Sequence, residues 1–180
     1  MCTDRLKILE FEYLIYLLLS WYKELHPNEN PILSFSRLKS LKLLFLVSAV
    51  NASEGNEGLL GIFDKFYAMQ HGPVESDIYK AMTLDETIFF SYKNRITDYK
   101  GKDARIFDNI EFKTSKIIKE SVDALKKINP KIVEYKPFDL VNITHKWNSW
   151  QVAFEMAQIF GKGSESMSIE SIKKDTKYFF

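Results

Sequence analysis

From Leu6 to Leu25 apolar side chains return at spacings of three and four. Leu6, Leu9, Tyr13, Tyr16 and Leu17 mark one face, with Lys7, Glu10, Lys23 and Glu24 at the wetter positions. That period predicts a long first helix. His26-Pro27-Asn28-Glu29-Asn30-Pro31 stops it, because each proline disfavours helix in the residue before it. A second helix is predicted from Phe35 to Val50, with Ser34 or Ser36 as its cap. Its stretch Leu41 to Val47 is apolar nearly all round, as in a central helix covered on several sides. The short connection predicts that the two helices pack as an antiparallel pair.

The pattern then weakens. Asn51 to Gly61 reads as a loop, and Ile62 to Gln70 fits either a short strand or a helical turn. Gly72-Pro73 reads as a helix start, with Gly72 as cap, Pro73 in the first turn, and Val74, Ile78, Tyr79 and Met82 on the apolar side. Lys100-Gly101-Lys102 between two short apolar pieces predicts a small hairpin within Ile96 to Phe107. Lys113 to Ile128 is amphipathic, with Ile117, Ile118, Val122, Leu125 and Ile128 inward. Lys116–Glu120 and Asp123–Lys127 are its i,i+4 pairs. Pro137 opens a short helix ending near His145. Asn148 with Gln151 resembles a capping box for a helix that Gly161 ends. Ser168 caps a last helix, Ile169 to Asp175. The sum is a mainly α chain with a small β-hairpin, a compact single-domain helical bundle over residues 1–180.

Composition narrows the classes. Hydrophobic residues make up 46% of the 180, enough for a real core. The one cysteine, Cys2, permits no internal disulfide and sits at a terminus unsuited to a catalytic thiolate. The net charge of +1 argues against a dedicated nucleic-acid binder. Tyr13 to Leu19 is far shorter than the ~20 apolar residues of a membrane span. The expectation is a soluble, cytoplasmic protein.

Motifs for chemistry are weak. His26, His71 and His145 have no second histidine at helical spacing, and structural hydrogen bonding is the plainer role for each. Gly55 to Gly61 matches a glycine-loop pattern in letters but lacks a lysine and carries an acid, so it reads as a plain loop. Lys113 to Lys136 holds seven lysines against three acids, the best basic patch in the chain, most simply read as a solvated face. Phe66, Tyr67, Tyr79, Trp147 and Trp150 flank tight turns and belong mostly to the core. No cofactor and no catalytic set is called for.

Three separated stretches carry more. Phe66 to Val74 followed by Ile78-Tyr79 resembles the A-x-x-x-G-P-V…Y segment of Panacea domains, the SocA-like antitoxin family. Leu140 to Lys146, then Trp150 and Ala153, resembles that family's L-x-x-x-T-H-K…W-x-x-A motif, and Met167 to Ile172 resembles its closing helix. Leu38 to Val47 is similar to the helix before these motifs. Order and spacing agree over residues 34–174. The residues before Ser34 read as a helix and its connection, so no separate repressor domain is expected.

The resemblance implies an antitoxin-type protein that binds a cognate toxin directly and suppresses it without catalysis. For some members it implies adaptors that deliver the toxin to a protease. Many members lie beside a toxin gene or in prophage regions. It singles out Gly72, Pro73, Val74, Tyr79, Thr144, His145 and Trp150, as partner contacts or as residues that hold the fold. Two other classes stand beside it. One is a small hydrolase or metal-dependent enzyme using His71, His145 and nearby carboxylates. The other is a nucleic-acid regulator using the Lys113 to Lys136 patch. A membrane partner is not expected.

Overall fold

The computed structural model describes residues 5–93 and 96–180. Cys2, singled out above, lies outside them. Helix α1 (Arg5–Leu25) and helix α2 (Arg37–Val50) form the centre. Ser36 caps α2 by accepting from Lys39 N. Helix α2 is buried from Lys39 to Val50, as its all-round apolar pattern requires.

The two helices touch, but neither has the other as its main neighbour. Helix α1 packs chiefly on α4 (Phe112–Ile128). Helix α2 packs on α5 (Pro137–His145), on α4 and on a β-hairpin. Helix α1 is also wetter in pattern than in fact. Lys7 and Glu10 are buried, and Leu6 is exposed. Lys7 lies in a nest of carboxylates, 2.6 Å from Glu75, 2.9 Å from Asp64 and 3.1 Å from Asp77. Pairing makes such burial tolerable.

Strand β1 (Phe66–Met69) pairs antiparallel with β2 (Gly72–Glu75), Met69 opposite Gly72, and with β5 (Glu165–Ser166), in the order β2-β1-β5. The expected helix start at Gly72-Pro73 is therefore a strand. Proline is tolerated there because β2 lies at the sheet edge. Helix α3 (Ser76–Thr83) begins four residues later, capped by the Glu75 carboxylate, which accepts from Ile78 N at 2.8 Å. Glutamate is an unusual cap, and Lys7 holds this one in place, which the local sequence does not reveal. Val74 accordingly belongs to β2 and not to the apolar side of α3.

The second hairpin also falls elsewhere than expected. Strand β3 (Phe90–Ser91) pairs with β4 (Asp98–Tyr99), ahead of Lys100-Gly101-Lys102. Glu12, fully buried on α1, accepts from Ile88, Phe89 and Phe90 N–H groups and fixes that segment. Helix α4 matches its prediction, except that Ile128 is 40% exposed. Lys116 pairs with Glu120 as expected, the expected Asp123–Lys127 pair is not formed among the described residues, and Lys126 reaches Glu24 on α1.

Helix α6 (Asn148–Ile159) ends at Gly161, whose φ is +64°. Its start is not a capping box. Trp147 is the N-cap, and Asp175 accepts from Asn148 N at 3.1 Å and Ser149 N at 2.7 Å. That carboxylate follows helix α7 (Ile169–Lys174), which Ser168 caps. The C-terminal segment then crosses the molecule, with Phe179 buried and the Tyr178 and Phe179 carbonyls bonded to Trp147 Nε1 and Asn129 Nδ2. One apolar cluster draws on all seven of these helices and on strands β1, β2 and β3. No helix among the described residues is long and apolar enough to cross a membrane.

Candidate functional site

The two main motif stretches meet where the β1–β2 turn lies on the α5–α6 elbow. Gly72 has a φ of +91°, a conformation that L side chains rarely adopt. A Cβ built on it would stand 2.5 Å from Thr144 Oγ1. Glycine is thus required twice, by the backbone and by the close approach of α5. Thr144 is fully buried, and its hydroxyl donates to Val141 O at 2.9 Å.

Beneath the turn lies Lys42, in the middle of the apolar run of α2. It is fully buried, and its Nζ donates to Pro73 O at 2.6 Å. Burial lowers its pKa to about 7. On the other side Trp150 Nε1 donates to Met69 O at 3.1 Å. The His145 ring stacks on Trp150 with centroids 3.8 Å apart and an interplanar angle of 11°. Phe154 also stacks on the same indole, with centroids 5.0 Å apart. Gln151 Nε2 bonds to His145 O at 2.8 Å and closes the elbow.

Burial lowers the pKa of His145, and the nearby Lys42 and His71 push the same way, against a bond to the Gln70 backbone. These effects favour the neutral ring, whose buried Nε2 has no hydrogen-bond partner among the described residues. His71 is exposed at the turn, edge-on to Phe138 at 5.8 Å. Among the described residues no group of three or more His, Cys, Asp or Glu side chains is placed to hold a metal ion. The Thr144 hydroxyl, the Lys42 ammonium and the Trp150 indole N–H are each committed to a backbone carbonyl. They hold the turn; they do not form a nucleophile–base pair.

Of the seven motif residues, Gly72, Pro73, Thr144, His145 and Trp150 come together here. Val74 and Tyr79 lie beside the same turn. There they line an open groove of about 590 Å³ with Arg37 and Leu38 of α2, Met69 and His71 of the turn, and Phe138 of α5. Sequence reasoning passed over Lys42, Arg37 and Phe138. A signal existed for Lys42: a charge inside an otherwise apolar helical run has no solvent face to reach, so it must find an internal acceptor.

The lysine makes stability depend on pH. Its folded pKa of about 7 lies below the ordinary 10.5, so the unfolded chain binds the proton more tightly between those values. Stability is expected to rise with pH across that window and to fall as pH drops through it. Lys39 shifts the same way, to about 8, so the comparison that isolates Lys42 is with Lys42→Met. Urea unfolding from pH 7 to 10 should show the wild type gaining on the variant by at most about 1.4 kcal/mol per pH unit. Parallel curves for the two proteins would exclude this role.

Compared with known families, the chain matches the one described as Antitoxin SocA-like, Panacea domain, over residues 41–151, more than half its length. The match takes in the hairpin and the α5–α6 elbow, while Met167 to Ile172 lies beyond it. No curated protein matches the chain, and no solved structure does. The motif residues that pin the hairpin to the elbow lie inside the matched stretch, and on that match this chain belongs to the SocA-like antitoxin, Panacea-domain family.

Proposed function

We propose that this chain neutralises a cognate protein toxin by binding it directly and in stoichiometric amounts, with no chemistry of its own. One observation carries the reading beyond family membership. Five of the seven motif residues pack into the elbow, and beside it the surface opens into a groove, lined in part by the other two, with aromatic and thioether side chains, the types that dominate protein–protein hot spots. Surface complementarity is what such a scaffold supplies. Delivery of the bound toxin to a protease is a further step that this reading allows, and it predicts a shorter toxin half-life in cells that contain the chain.

Co-expression with the product of the adjacent gene tests the proposal. The neighbour alone should arrest growth. Together the two proteins should restore it and co-purify as a complex of fixed ratio. Continued arrest with no co-purifying partner would remove the reading. The alternative uses make different predictions: hydrolysis requires turnover that vanishes when His71 or His145 is replaced. Nucleic-acid binding through Lys113 to Lys136 requires affinity that falls steeply with salt.

A further inference from the structure

We infer that the groove between the start of α2 and the β1–β2 turn seats a partner segment that presents apolar side chains together with a carboxylate, and that Arg37 receives the carboxylate. This rests on the toxin-binding reading and names the surface it uses. The walls are apolar: Leu38, Met69, Val74, Tyr79 and Phe138 line it, with Phe138 61% exposed and Tyr79 38% exposed. Exposed aromatic groups beside a cleft are the usual anchoring points of an interface.

Charge identifies the occupant. Arg37 and His71 line the groove and no carboxylate does. The Arg37 guanidinium lies 5.6 Å over the Tyr79 ring, with Nη1 3.5 Å from Thr83 Oγ1. It forms no ion pair with any acid among the described residues, whereas Arg105 pairs with Asp103. A guanidinium held over an aromatic face and not paired with an acid has N–H donors to offer, and its planar fork matches a carboxylate in two bonds.

The second large groove, lined by Tyr16, Lys23, Glu24 and Tyr99, gives no such indication. Its charges are already in use: Lys23 bonds to Glu29 O and Glu24 pairs with Lys126. The walls of the first groove are also preorganised, by the Ser36 cap of α2, the Lys42–Pro73 bond and the Trp150–Met69 bond. Little ordering cost then falls on binding.

The probe is the purified product of the adjacent gene, titrated against the full chain and its variants. Arg37→Glu should weaken binding roughly 30-fold or more, because it removes a charge partner and places like charges together. Arg37→Lys should weaken it less. Phe138→Asp, at a side chain too exposed to threaten the fold, should weaken it at least about 10-fold by the same repulsion. Lys119→Glu, the same reversal on the exposed face of α4, should leave affinity unchanged. A photo-cross-linker in place of Gln70 at the groove rim should join the chain to its partner.

If the unsubstituted chain does not bind, the toxin-binding reading fails and this one with it. If it binds, and Arg37→Glu and Phe138→Asp bind as tightly as Lys119→Glu, the groove assignment alone is overturned. Cross-linking of two copies of this chain in place of the partner overturns it as well. Should Arg37→Glu unfold, Phe138→Asp and the cross-link decide.

Discussion

Gly72→Ala is expected to destabilise the protein by about 3 kcal/mol, with the loss arising at one point of contact. An alanine forced into φ +91° meets the steric cost that L residues pay in the left-handed region, about 1–2 kcal/mol. Its Cβ would also stand 2.5 Å from Thr144 Oγ1 and 3.2 Å from Lys42 Nζ, so α5 or the turn must shift. Overpacking of a closed contact costs about 1–3 kcal/mol more. For a chain of this size the sum corresponds to a fall of roughly 6–12 °C in Tm. A paired variant separates the two causes. Thr144→Ala removes the hydroxyl that the new methyl group meets. Gly72→Ala should therefore cost less in a Thr144→Ala background than in the wild type, by about 1 kcal/mol or more. If the two substitutions add independently, the close packing of turn on elbow does not explain the glycine.

Glu12→Ala should be comparably damaging although it lies far along the chain from every motif. The carboxylate is fully buried and accepts from Phe89 N and Phe90 N at 2.8 Å and from Ile88 N at 3.0 Å. Burial pushes its pKa up, and the three N–H groups and Lys100 oppose that shift. Without the oxygens, several buried donors lose their acceptor at about 1–3 kcal/mol each, giving a loss of about 3–5 kcal/mol. Glu12→Gln keeps one acceptor oxygen and should cost about half as much by the same reasoning. Chemical denaturation checks both. Equal losses for Ala and Gln would mean that charge, and not the acceptor role, is what the fold uses. Amide hydrogen exchange at Phe89 and Phe90 should accelerate first, since these bonds anchor the β3–β4 hairpin to α1.

Helices with a clear period were legible in the sequence. Helix α4, helix α5 from Pro137 to His145, the Gly161 stop and the Ser168 cap all stand where local chemistry put them. The failures share one physical cause, which is that the deciding partner lies far along the chain. Gly72-Pro73 looks like a helix start until Lys42 claims the Pro73 carbonyl and Thr144 fills the space beside Gly72. The start of α6 looks like a capping box until Asp175 supplies the acceptor. Lys7 and Glu10 read as solvent-facing because periodicity cannot see that the far side of α1 is covered. The motif residues were legible as a set, and five of the seven do meet. That they meet on one elbow, with Tyr79 and Val74 lining the groove beside it, depends on the β1–β2 pairing.

The proposed function requires that this molecule occupy another protein without altering it. The sharpest test is to titrate a fixed amount of active toxin with increasing amounts of this chain. Residual toxin activity should fall in a straight line to zero at a fixed molar ratio and return when the complex is separated under denaturing conditions and the toxin refolded. Complete inactivation by a small fraction of an equivalent, or toxin that stays inactive after separation with a changed mass, would contradict it.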